Sequence, residues 1–244
     1  MKSEALWLSV SPHLARFDQR LLLGLSRTYR VAWWEYSQSP DQPCCFDTAI
    51  VLLHDFLKAK DRPLHLIGHG LSGVVAWIYA SQYPERVKSL TLLSVGENPV
   101  ITWHAHYYAL RQLLPCGRGM LLAQMVRLLF GPQTPCMTSA LVERLQLELD
   151  TSLTLQSLAH QTQWSVSSFT PPMLICNGAA DVITGNSIAS EMPHWLKAGD
   201  RCWVCPEGRH FFHYEYPQRV AEQIQDHWDS VRLRAPTAVN AQLV

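Results

Sequence analysis

Six short runs rich in β-branched, aromatic and leucine residues recur along the chain, at Ala5–Val10, Tyr29–Trp34, Leu64–Ile67, Ser89–Val95, Met173–Cys176 and Arg201–Cys205. Helical periodicity fills several of the intervals. Repeated strand-helix-strand units pack as right-handed crossovers, so this alternation constrains the fold more than any other feature. It predicts an α/β fold, with a mostly parallel sheet of about six strands flanked by helices. Between the first runs, "FDQRLLLGLS" and "CFDTAIVLLHDFLKAK" read as amphipathic helices. The second has Asp47 near its start and Lys58 and Lys60 at its end, as the helix macrodipole favours. The segment from Gly73 to Gln82 is almost wholly apolar, which predicts a helix buried against the sheet and limited by Pro84.

The alternation breaks between about residues 98 and 169, where "WHAHYYALRQLL", "GMLLAQMVRLLF" and "SALVERLQLELD" carry helical spacing with Gly or Pro between them. We read an inserted helical layer. Its Leu, Met and aromatic residues serve packing, a ligand-facing cap, or both, because such layers lie over the carboxyl ends of strands. The expected organisation is one domain over residues 1–232, with a flexible tail over 233–244.

A chain of 244 residues buries a substantial core without staples. Lys and Arg together number 20, as do Asp and Glu, so the global electrostatic footprint of a nucleic-acid or anionic-membrane binder is absent. The opening residues lack the pattern of a secretory signal, and no apolar run reaches spanning length. A cytoplasmic protein without a transmembrane segment is expected. Seven cysteines favour free thiols over a disulfide framework. Cys202 and Cys205 form a lone CxxC within a strand pattern, which puts their side chains on opposite faces and argues against a metal site. His104-Ala-His106 reads as a polar edge on a helix. No metal or other cofactor is implied.

The stretch "LHLIGHGLSGVVAWIYASQYPERVKSLTLLS" gives a strand, a sharp turn, a buried helix and a further strand. Downstream, "PPMLICNGAADVITG" carries a strand ending in Gly-x-x-Asp, and "CPEGRHFFHYEYPQRVAEQI" a histidine loop before a final helix. In this combination, from Leu6 to about Trp228, the chain resembles the α/β-hydrolase fold. The resemblance implies that Asp181 is the acid and His210 the base of a catalytic triad, in the chain order of that fold. It puts Gly70 at the nucleophile position of G-x-S-x-G, within Gly68-His69-Gly70-Leu71-Ser72, and Ser72 where a glycine usually stands. The oxyanion and cavity region maps to Ser9, Val10, His69 and Leu71.

Other departures accompany Gly70. The family's His-Gly pair after the first strand is replaced by "SVSPHL", in which Pro12 has no N–H to offer. A usually acidic, glycine-rich loop becomes "EYSQSPDQP", keeping only Glu35, and the family's two opening strands are missing. Glycine occupies strained elbow dihedrals without penalty, but it removes the atom that forms an acyl-enzyme. In serine proteases, loss of the nucleophile costs a factor of about 10⁶ in turnover. Ser72 is expected to bond at the helix start rather than attack, Cys176 to be a buried structural thiol, His69 a packing residue, and His213 a surface or loop residue.

Two functions fit these residues. One is a non-hydrolytic protein that binds a small apolar ligand or a protein partner through the cap and the vestigial cavity. The other is an enzyme in which His210, oriented by Asp181, acts on water or on a substrate proton. A small or polar cavity reached by His210 favours the second, and an apolar pocket or an exposed apolar patch on the cap favours the first.

Overall fold

The computed structural model describes residues 3–37, 46–96, 101–151, 170–185 and 196–234. The strands are β1 (Ala5–Ser9), β2 (Val31–Glu35), β3 (Leu64–His69), β4 (Val87–Leu93), β5 (Met173–Gly178) and β6 (Arg201–Cys205). They form one sheet in the order β2-β1-β3-β4-β5-β6, and every pairing is parallel. Burial on both faces explains why the central strands read as continuous apolar runs rather than as alternating ones.

Helices α1 (Gln19–Leu25) and α7 (Pro217–Arg234) cover one face, where Trp7, Ile67 and Leu174 pack with Leu21, Ile224 and Trp228. Helices α2 (Phe46–Lys58) and α3 (Leu71–Gln82) cover the other, where Leu6, Leu66 and Leu90 meet Leu53, Val75 and Tyr79. Cys202 packs toward the α2/α3 face and Cys205 toward the α1/α7 face, as their spacing predicts. All the described cysteines are free.

Between β4 and β5 run α4 (Trp103–Leu113), α5 (Arg118–Phe130) and α6 (Pro135–Thr151). They form a third core in which Leu122, Met125, Leu129 and Phe130 pack with Leu14, Phe17, Ile183 and Phe211. The partners of these helices follow β1, β5 and β6, so the inserted layer lies over the carboxyl ends of the strands. The part of this layer expected beyond residue 151 lies outside the described residues, as does the loop over 38–45. Helix α7 continues to Arg234, two residues into the segment expected as tail, and the remainder of that segment is outside the described residues.

The chain leaves β1 outward to β2 and returns on the other side of β1 as β3. Ligands of open α/β sheets bind where the strand order reverses in this way, beyond the carboxyl ends. Ser9 and His69 end the two strands that flank this point.

Candidate functional site

The turn between β3 and α3 is held by glycines. Gly70 has φ +49° and ψ −122°, a left-handed conformation that side chains rarely adopt, and its N–H donates to Leu93 O at 2.8 Å. A Cβ at Gly70 would lie 3.8 Å from His210 Nε2 and meet no other atom beyond its chain neighbours within 4 Å. The close approach of strand and helix, for which Ser72 is the wrong residue, is supplied one position later. A Cβ at Gly73 would stand 2.6 Å from Val95 Cγ2 and 2.8 Å from Gly68 O.

Asp181 follows β5 and is fully buried. Its Oδ1 accepts N–H bonds from Ile183 at 2.9 Å and Thr184 at 3.4 Å, and its Oδ2 accepts the Thr184 hydroxyl at 3.0 Å. His210 Nδ1 lies 3.1 Å from Oδ2 and 3.3 Å from Oδ1. Burial alone would raise the Asp181 pKa, but His210 and these hydrogen bonds together hold it well below the usual carboxylate range. Beside an ionised carboxylate, Nδ1 donates to Asp181, and Nε2 faces the space above Gly70. Two groups fix the loop by donating to His210 O, Ser94 Oγ at 2.7 Å and His69 Nε2 at 2.9 Å. Ser94 is itself held at φ 50° at the end of β4.

Ser72 Oγ accepts the Val10 N–H at 3.0 Å. The hydroxyl therefore bonds across to the end of β1 rather than within its own helix. Cys176 is fully buried in β5, and burial pushes its thiol pKa far up.

A cavity of about 40 Å³ lies over the elbow, bounded by Ser9, Gly70, Leu71, Ser72, Ser94 and His210 on the sheet side. That volume holds about three waters. From the inserted layer and its approach come Ile101, Thr102, Trp103 and His104, and from β1 and the 3-10 turn Pro12–Phe17 come Trp7, Leu14 and Asp18. Val10 does not line the cavity but joins it through Ser72.

Two histidines depart from expectation. His213 is not on the surface: it is completely buried, with Nε2 3.0 Å from Asp18 Oδ1, and burial and then His210 push its pKa down to about 3. It sits in the turn Phe212–Glu215, which α1 and α7 enclose. His104 is not a polar edge either. It is buried on the same flank of α4 as Trp103 and Tyr107, faces the cavity, and is held at about 3 by burial and then His210. His106 keeps the more exposed position.

Asp18, Trp7, Ser94, His104 and Phe211 belong to the site and were not singled out for it from the sequence. A helical-wheel reading of "TWHAHYY" would have found His104 beside Trp103 and Tyr107. Asp18 carried no such signal, because a residue at a helix start needs no further explanation. Among the described residues, no group of three His, Cys, Asp or Glu side chains is arranged to hold a metal, and no helix is long and apolar enough to cross a membrane.

The α/β hydrolase fold family model matches residues 35–217. An uncharacterized protein of Synechocystis sp. is 39% identical over 93% of this chain and 90% of its own, and one of Nostoc sp. is 40% identical over 92% and 90%. Among solved structures, a thermophilic esterase superposes with a TM-score of 0.73 at 14% identity, covering 94% of this chain and 91% of its own. A membrane phospholipase A has a TM-score of 0.73 at 18% identity, covering 95% and 80%. At such identities the solved structures share the fold alone. With the six-stranded parallel sheet, the elbow turn after β3 and the family match over three quarters of its length, the chain belongs to the α/β hydrolase fold family.

Proposed function

We infer that this chain is a non-hydrolytic, degenerate member of its family, and that it works by holding a small ligand in the cavity over Gly70. The observation that carries this reading is a paired exchange at the elbow. Gly70 removes the hydroxyl that would face His210 Nε2, and Ser72 Oγ, itself lining the cavity, covers the Val10 N–H behind it. Acyl transfer loses its nucleophile, and a backbone donor behind the cavity wall is taken up as well. The cavity is mixed: Leu8, Leu14, Val74, Val95, Trp103 and Phe211 supply apolar walls, and Ser9, Asp18, Ser94, His104 and His210 supply polar groups for a ligand's polar head. A protein partner is the other candidate, for which the exposed Leu113, Leu114 and Met120 at the α4–α5 corner speak.

One observation favours the rival reading, an enzyme without a serine. The cavity is small, His210 reaches it, and Asp181 orients the ring. His210 would then act as a general base on water or on a substrate proton. Hydrolysis of a short-chain activated ester by the protein and by its His210→Ala variant separates the two. The binding reading expects both to match the buffer rate. Turnover by the unaltered protein that His210→Ala abolishes would overturn it and establish the rival.

A further inference from the structure

Among the described residues lining the cavity there is a single carboxyl, Asp18, and neither Lys nor Arg. Asp18 is 8% exposed. Its Oδ2 accepts the Trp7 indole N–H at 3.1 Å, and its Oδ1 faces His213 Nε2 at 3.0 Å. His213 brings no charge to this contact, because burial and then His210 keep its imidazole neutral. Burial pushes the Asp18 carboxyl well above its usual range, opposed only by the Trp7 bond. A buried carboxyl with no cation beside it favours its protonated form, and a cation brought into the cavity would let it ionise.

The rest of the cavity fits the missing partner. Trp7, Trp103 and Phe211 present aromatic side chains, the surface on which organic cations rest. His104, 1% exposed, has no hydrogen-bond partner at either ring nitrogen and faces the same space. An ammonium group carries several N–H donors and a charge, whereas an alcohol offers one donor and no charge. The amino end of α3 also opens here at Leu71, and its positive pole favours seating a cation on the Asp18 wall rather than above Gly70. Room for about three water-sized groups accommodates a head of three or four heavy atoms. Any tail would leave past Ile101, which lines the cavity and is half exposed.

We propose that the cavity takes a small organic amine, bound as its ammonium with Asp18 as counter-ion and Trp7, Trp103 and Phe211 as its aromatic walls. The proposal rests on the ligand-binding reading above and names the ligand class. The test titrates the whole protein with ethylammonium chloride, ethanol and sodium acetate at matched ionic strength, reading melting temperature and the indole N–H resonance of Trp7. Ethylammonium is expected to bind about tenfold or more tightly than ethanol, to move the Trp7 resonance, and to lose about tenfold in affinity in Asp18→Asn. Asparagine keeps an acceptor for Trp7, and His213 meets its amide by switching tautomer. Equal responses to ethanol, a preference for acetate, an undiminished response in Asp18→Asn, or no response to any of the three would overturn the proposal. The ligand series on the unaltered protein decides even if the variant does not fold. A protein that ignores ethylammonium and remains inert toward esters refutes the amine alone, while ester turnover dependent on His210 refutes the binding reading itself.

Discussion

Restoring a hydroxyl at position 70 separates what the elbow has lost from what it has kept. In Gly70→Ser the new side chain meets no clash, since only His210 Nε2 lies within 4 Å of its Cβ, at 3.8 Å. A hydroxyl one bond farther comes within hydrogen-bonding reach of that nitrogen. The cost is conformational. A non-glycine residue at φ +49° stores about 1–3 kcal/mol, which at this chain length lowers the melting temperature by roughly 2–12 °C. The single variant is expected to hydrolyse an activated ester only weakly, because Ser72 Oγ still holds the Val10 N–H at 3.0 Å. Adding Ser72→Gly frees that donor. One oxyanion donor is worth a factor of about 10²–10³ in turnover, so the double variant should exceed the single by that factor, at a further cost of about 1 kcal/mol for glycine in α3. Stopped assays with a short-chain activated ester, normalised to folded protein by circular dichroism, give both numbers. Equal activity in the single and double variants would refute the claim that Ser72 blocks the donor. Two folded but inert variants would show that Asp181 and His210 are not competent as placed.

Other outcomes follow from the same geometry. Because burial raises the Asp18 pKa, the folded state binds more protons than the unfolded chain above the ordinary carboxylate range, and stability falls as pH rises. Asp18→Asn lacks this penalty, so its melting temperature should gain on the unaltered protein as pH rises above about 4. Glu215, raised by burial to about 7, is common to both and drops out of the difference. A gap that stays flat with pH would contradict the assignment. Phe130, fully buried, stacks on Phe211 at 4.5 Å and ties α5 to the histidine loop. Phe130→Ala should cost about 3–5 kcal/mol in denaturant unfolding and shift the His210 ring resonances, and an unmoved His210 spectrum would show that the inserted helices do not position the loop.

Much of the fold was legible because periodicity reports burial directly. Strands buried on both faces read as apolar runs, α3 read as apolar throughout, and the CxxC spacing put Cys202 and Cys205 on opposite faces of β6. The site was legible where a turn demands particular residues, as at Gly70, or where a motif fixes chain order, as at Asp181 and His210. It was opaque where a polar residue becomes buried only through distant partners. Asp18 meets His213 across 195 residues, and Ser72 meets Val10 across 62. No local pattern encodes either contact. His104 and His213 were misread because a histidine among polar neighbours looks exposed until the layer packed on it is known.

An elbow with no attacking side chain leaves an electrophile unreacted, and covalent capture reads this out at the atom concerned. The protein and its Gly70→Ser, Ser72→Gly double variant are incubated with an activated fluorophosphonate, and their intact masses are measured. The unaltered protein should keep its mass, and the double variant should gain one phosphonyl group mapping to position 70. A phosphonyl adduct on the unaltered protein, at Ser72, Ser94 or any other residue of the cavity, would contradict this expectation.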